Sequence, residues 1–429
     1  MRTVKAIRLF YLIYTAYTLF MLMVSDYKIS HAAIGLLLVW LTYFSFSLGC
    51  HTVHVNKLDA AFVKLFWEDE ESRFPLASIA TWPGWKYIFS AGAAWVCAIL
   101  CGRFYTGKGF GSVIRNLLGG ASAYNDYQQY IQNNNITALT LSKIPYVLML
   151  AYLTIIMTWS VIGLLLGKER VRFPKALYLV IVVAAYAYFG AARGTNFETY
   201  IIFILFAYCM IQKVKTILAP KNLKYLLIAF FGGVALIFIY RIRVMNRGVE
   251  FINYICPEIQ YNTNSFLGQY FPTLVNIGVS LFSYLGYGIY CIGVTVQELC
   301  FGEPLQMLAM WIPFGGQLLV GKSFVAMLVQ TINLEARWVP DFVYLLDNFG
   351  MLLYYIFFFF LGRFSGRTEN SNLPRQLIRV FEVLVFIEML SIPVGNFLMS
   401  SSSNKIMIVY AFVWYLCCRF GLDKKRQIS

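Results

Sequence analysis

The chain has 429 residues, of which 59% are hydrophobic, 18% aromatic and 13% charged, with a formal net charge of +15 and a mean hydropathy of +0.65. A soluble globular chain carries roughly a quarter charged residues, so this composition excludes a water-soluble domain and marks a polytopic membrane protein. The positive balance does not point to nucleic acid either, because Lys and Arg gather at the ends of apolar runs, where the positive-inside bias and anionic headgroups place them.

At about 20 apolar residues per helical crossing, the expected fold is an all-α bundle of about 10–12 transmembrane helices with a long helical outer-face loop region. Spans are expected near 7–24, 32–50, 86–104, 145–167, 176–192, 197–213, 225–240, 342–362, 379–399 and 405–421. They divide the chain into N-terminal helices over 1–240, a large outer region over 241–341 and C-terminal helices over 342–429. MRTVKAIRLF leads into the first apolar run with no small-residue cleavage site behind it, which reads as a retained signal anchor.

Orientation follows from the links. Arg2 and Lys5 in the N-terminal tail, Lys57 and Arg73, Lys168 to Lys175, Lys213 to Lys224, Arg363 to Arg375 and the tail Lys424–Arg426 all belong on the cytoplasmic side. Alternation then leaves 25–30, 103–143, 193–196, 241–341 and 400–404 outside, with both termini cytoplasmic. The apolar stretch Val275–Val296 is greasy enough to cross, but a single crossing breaks this parity. Its glycines and tyrosines suit a surface or re-entrant segment, the alternative being a crossing that the run around Met307–Val320 reverses. The link Asp59–Arg73, ending in WEDEE, reads as an interfacial amphipathic helix with a solvated acidic end rather than a metal site.

The outer segments carry the candidate chemistry. Arg193 in FGAARGTNFE lies flush against apolar residues on both sides, and an arginine at the helix centre costs about 2.5–3.5 kcal/mol on insertion scales. Snorkelling to headgroups is one compensation. An anion site is the other, with the backbone amides of Gly194, Thr195 and Asn196 facing the same point at the start of the next helix. Arg241, Arg243 and Arg247 follow an apolar run on the outer side, where topology does not require them, and their forked guanidinium groups suit either phosphate or headgroups.

Arg337, with Glu335 and Asp341, forms a third cationic point or a local ion pair. Arg115, Tyr124, Asp126 and Tyr127 read as a polar cap that suits sugars or an interfacial belt. The three histidines, His31, His51 and His54, all lie near the N-terminal links, so a general base in the central stretch must be Glu250, Glu258, Glu335 or Asp341. Most of the nine cysteines lie in or beside apolar runs and read as small hydrophobes, while Cys256 and Cys300 could pair if their region is outside. No metal-ligand spacing or cofactor motif is present.

Three motifs carry a resemblance: GAARGTNFETYIIFILF at the outer end of one span, WIPFGGQ at Trp311–Gln317, and DFVYLLDNFGMLLYYIFFFFLG beginning at Asp341. Together they resemble the O-antigen and capsule repeat-unit polymerases of the Wzy type. The resemblance implies transfer of a growing glycan from undecaprenyl pyrophosphate to an incoming lipid-linked repeat unit at the outer face. The implied partners are the undecaprenyl-pyrophosphate-linked oligosaccharide, membrane lipids and a chain-length regulator.

In that family arginines of two outer loops act. Arg193 matches the first, and Arg241, Arg243 and Arg247 match the second by position. Arg193, Arg241, Arg243 and Glu250 are thus the expected catalytic residues, with Arg115, Tyr124, Asn196, Arg247, Arg337 and Asp341 binding substrate. The related ligases carry a histidine in the large outer loop, and its absence favours a polymerase. Two rival readings are a lipid-linked oligosaccharide flippase, which should show interrupted helices or a duplicated hydropathy pattern, and a glycan acyltransferase, which needs a catalytic histidine.

Overall fold

The computed structural model describes residues 2–53, 79–119, 123–134, 140–167, 172–195, 197–217, 254–256, 259–260, 262, 264–271, 275, 278–279, 286–334, 338–369, 371, 373–396, 398 and 401–419. It is an all-α polytopic membrane protein, and six of the described helices are long and apolar enough to cross a bilayer. The long helices are α1 (Arg2–Val24), α2 (Ile29–His51) and α3 (Gly84–Thr106), followed by short α4 (Phe110–Gly119) and α5 (Ala123–Asn133). Next come α6 (Ile144–Leu165), α7 (Phe173–Arg193) and α8 (Phe197–Ile217).

The central region holds a minimal antiparallel pairing of β1 (Tyr254–Cys256) with β2 (Ile259–Gln260), then α9 (Phe266–Tyr270) and α10 (Tyr287–Val294). α10 continues as a π-helical run, Thr295–Cys300. A lobe of α11 (Pro304–Ala309), a second π-helical run (Gly316–Val320) and α12 (Phe324–Thr331) precedes α13 (Asp341–Glu369), α14 (Arg375–Val394) and α15 (Ser402–Arg419). The expected span at 225–240 lies outside the described residues, as does the amphipathic link Asp59–Arg73.

The helices form two groups: α1, α2, α10, α13 and α14 on one side, and α3, α6, α7 and α8 on the other. α14 and α15 close the seam by packing on α8 and α6. Cross-contacts fix the directions. Tyr11 Oη donates to Met389 O at 2.7 Å and Tyr14 Oη to Pro393 O at 3.2 Å, so α1 and α14 run parallel. Thr42 meets Tyr354 at 2.9 Å and Ser45 Oγ donates to Tyr355 O at 2.7 Å, so α2 and α13 run parallel. Val24, Ile29, Arg193, Asp341 and Val394 therefore share one end of the bundle, and the helices alternate in the sense that the charged links require.

α2 and α13 approach through glycine. A Cβ on Gly362 would stand 2.0 Å from Phe46 O, and one on Gly49 would stand 1.9 Å from Phe359 O. Small residues that allow backbone contact are the means by which membrane helices pack without a hydrophobic driving force.

The central region enters and leaves from the same end. Asn262 N donates to Val24 O at the end of α1, and Lys28 and His31 at the start of α2 meet Glu298. Between these anchors Gly278 O accepts a hydrogen bond from Tyr17 Oη, two turns inside α1, and Ile289 abuts Gly35 of α2. The described residues of Val275–Val296 thus dip into the bundle from this end and do not reach the opposite one.

α13 is two helices. Gly350, at φ 67° and ψ 163°, breaks it into an arm over 341–349 and a span from Met351 onward. The lobe fills the break: Met351 N donates to Met310 O at 2.8 Å, Phe314 N donates to Asp347 O at 3.0 Å, and Phe324 N donates to Asp347 Oδ1 at 3.0 Å. A Cβ on Gly350 would stand 2.7 Å from the Trp311 carbonyl, so the glycine is required twice, by φ and by space. The WIPFGGQ and DNFG motifs, distant in sequence, meet here. The interrupted helix corrects the sequence-based expectation of unbroken spans.

Candidate functional site at the shared helix ends

Arg193 ends α7. Gly194 takes the left-handed conformation, at φ 66°, and closes the helix: its N–H bonds to Ala191 O, and Thr195 N–H bonds to Gly190 O at 3.1 Å. This is a Schellman-type stop. Both amides are spent on it, so the expected anion cradle of Gly194 and Thr195 is not formed. Asn196 lies outside the described residues.

The Arg193 side chain turns instead to Glu198 in the first turn of α8. Its Nη2 donates to Glu198 Oε1, and Thr195 Oγ1 donates to Glu198 Oε2 at 2.8 Å. The guanidinium lies 4.4 Å from the Phe189 ring and 5.7 Å from that of Tyr127 on α5. Glu198 is 1% exposed and the Arg193 side chain 13%, while Arg193 Nε is buried without an acceptor. The ion pair, not snorkelling, is what offsets the charge within the apolar end of the helix.

Across the seam lies a second buried polar pair. Asp341 opens the α13 arm, Glu388 lies six residues before the end of α14, and their carboxyls hydrogen-bond to each other. They are 2% and 7% exposed. Pro393 explains part of the local wiring: it lacks the N–H that Met389 O would accept in an unbroken helix, and Tyr11 Oη supplies the missing donor.

Trp338 packs between the start of α8 and the end of α14. Its ring centroid is 5.1 Å from that of Phe197 and 5.7 Å from that of Tyr200 on α8, and its Cβ faces Gly395 after α14. Arg193 and Asp341, 148 positions apart in the numbering, are thereby brought to one seam.

The other expected residues fall apart or out of view. Arg115 is exposed on α4, and Asp126 on α5 pairs with Lys108 Nζ at 2.7 Å. Tyr124 belongs to α5, but only its backbone is described. Arg241, Arg243, Arg247, Glu250, Glu258, Glu335 and Arg337 lie outside the described residues. Cys300 is a buried free thiol, so the pairing with Cys256 is not formed.

Two residues were missed by sequence reasoning. Glu388 is an acidic residue inside an apolar run, a signal as plain as that of Arg193. His31 opens α2 and places Nε2 3.0 Å from Glu298 Oε1. The fold thus brings an imidazole to the central region that sequence order denied it.

The fold and the two buried pairs define the chain as a multi-pass helical membrane protein with a polar seam at one bundle end. Comparison with protein-family models, curated proteins and solved structures yields no match. Any closer assignment rests on the chain's own residues.

Proposed function

We propose that the protein is a membrane glycosyltransferase that polymerises undecaprenyl-pyrophosphate-linked oligosaccharide repeat units, of O-antigen or capsule type, at the outer face of a bacterial inner membrane. The observation that carries this reading is the half-satisfied guanidinium of Arg193. Glu198, Phe189 and Tyr127 fix its plane, yet Nε keeps an unused donor. A buried donor left unmade costs about 1–3 kcal/mol, which a diphosphate oxygen relieves while the guanidinium takes up the charge of the departing group.

Arginine is suited to this because it stays charged in a low-dielectric setting and offers a fork. Arg241, Arg243 and Arg247 add charge from the neighbouring loop in this scheme, and Glu250 or Asp341 accepts the proton of the acceptor hydroxyl. Arg115, Tyr124, Asn196 and Arg337 hold the sugar and phosphate. No metal or cofactor enters the scheme, and a chain-length regulator is the protein partner it calls for.

Arg193→Lys keeps the pair with Glu198 but loses the fork. In cells it should leave the protein in the membrane and replace long-chain glycan by single repeat units. Normal chain lengths in that variant would overturn the reading.

One observation favours a second reading. A helix broken at Gly350 beside a re-entrant segment is the architecture of secondary transporters, whose sites are lined by discontinuous helices. A lipid-linked oligosaccharide flippase is accordingly the alternative. A deletion strain separates the two: single repeat units on the outer surface indicate a polymerase, and repeat units retained inside indicate a flippase.

A further inference from the structure

We propose that Asp341 and Glu388 share one proton and form a pH-released latch between the arm of α13 and the end of α14. Two carboxyls can hydrogen-bond to each other only if one of them is protonated. The pair is enclosed, at 2% and 7% exposure, and among the described residues no basic group acts on either carboxyl.

The groups that face the pair are tyrosine hydroxyls. Tyr11 of α1, beside Glu388, donates to Met389 O. Tyr354 of α13 bonds with Thr42 of α2, and Tyr344 flanks Asp341 on the arm itself. On α10, Tyr287 donates to Asn333 O at 3.4 Å, Tyr290 packs on Tyr27 and His31, and Cys291 acts on Tyr14 of α1. Glu335 and Arg337 precede Asp341 outside the described residues.

What makes the pair a latch is where it sits. Asp341 rides on the arm over 341–349, which Gly350 separates from the rest of α13. Glu388 lies just before Pro393, where the ladder of α14 is interrupted. The shared proton therefore ties the arm, cut from its span at Gly350, to α14 just before that helix's ladder is interrupted at Pro393. Its loss sets two carboxylates in contact in a low-dielectric interior, where like charges repel, and the arm is freed to turn about Gly350. Because Asp347 of the arm bonds to the backbone of Phe314 and Phe324, the lobe moves with it. The latch does not depend on the identity of the lipid-linked substrate, although it uses the Asp341 carboxyl that the proposed function offers as one of two proton acceptors.

The test uses the full chain in phosphatidylcholine vesicles. Dicyclohexylcarbodiimide attacks protonated carboxyls in apolar surroundings, so mass spectrometry should map an adduct to Glu388 or Asp341, with yield falling as pH rises. Hydrogen exchange over 342–349, corrected for the intrinsic pH dependence of amide chemistry, should accelerate over the same range. Glu388→Gln and Asp341→Asn, each able to keep a neutral hydrogen bond, should both abolish that acceleration. Either variant suffices if the other fails to insert. The latch is overturned if neither carboxyl is labelled at any pH, if the acceleration survives both substitutions, or if Arg337→Ala removes it as completely as they do.

Discussion

The seam at the shared helix ends holds two buried polar pairs that differ in sign. Arg193 and Glu198 sit on one helix-to-helix corner and attract each other, with Thr195 completing the carboxylate's bonds. Asp341 and Glu388 come from helices far apart in sequence and are joined by a hydrogen bond between like groups. The first pair is built locally and holds without any ligand beyond an optional acceptor for Nε. The second is complete only while it holds a proton. One pair is a fixture and the other a variable.

The difference can be broken most forcefully at the fixture. Glu198→Ala leaves a buried guanidinium uncompensated, and removing one partner of a buried pair costs about 3–5 kcal/mol. The expected result is a large loss of membrane-inserted protein and a markedly lower melting temperature in detergent. A second substitution strikes the hinge of the variable pair. Gly350→Ala must occupy a positive φ, at about 1–3 kcal/mol, and press a methyl against the Trp311 carbonyl. Thermal unfolding should fall by a smaller margin than for Glu198→Ala, with the 341–349 arm exchanging fastest.

Glu388→Gln sharpens the contrast. The amide can donate to Asp341 as the shared proton did, so stability at neutral pH should change by no more than about 1 kcal/mol. A loss as severe as that of Glu198→Ala would erase the distinction between the pairs. The smallest effect belongs to the re-entrant segment. Cys300, at the end of the π-helical run that follows it, is a fully buried free thiol and should resist maleimide at pH 8 until the protein is unfolded. Ready labelling of the native chain would contradict its enclosure.

Six of the ten expected spans were legible because apolar runs of crossing length have no other stable home, and the alternation of charged links gave the relative helix directions. The non-crossing nature of Val275–Val296 followed from the same parity. Its depth did not, since that depends on Tyr17 and Gly35, which belong to helices more than 200 residues earlier.

The break in α13 was hidden for a different reason. The run after Asp341 is apolar on both sides of Gly350, and only the lobe's carbonyls and amides make the interruption affordable. At the site, Arg193 was legible as a charge within grease, whereas its partner Glu198 read as the ordinary start of a helix. Glu388 carried the same signal as Arg193 but stood outside the loop where a site was sought. The amides of Gly194 and Thr195 were misread because a glycine after an arginine serves equally to stop a helix and to cradle an anion. Only the hydrogen bonds distinguish the two.

The most direct test is reconstitution of the purified chain in liposomes with a diphosphate-linked oligosaccharide repeat unit on a polyprenyl carrier. The proposed function requires a ladder of products longer than one repeat, lost in Arg193→Lys at unchanged protein content. Passage of the lipid-linked unit from one leaflet to the other with its length unaltered would contradict it.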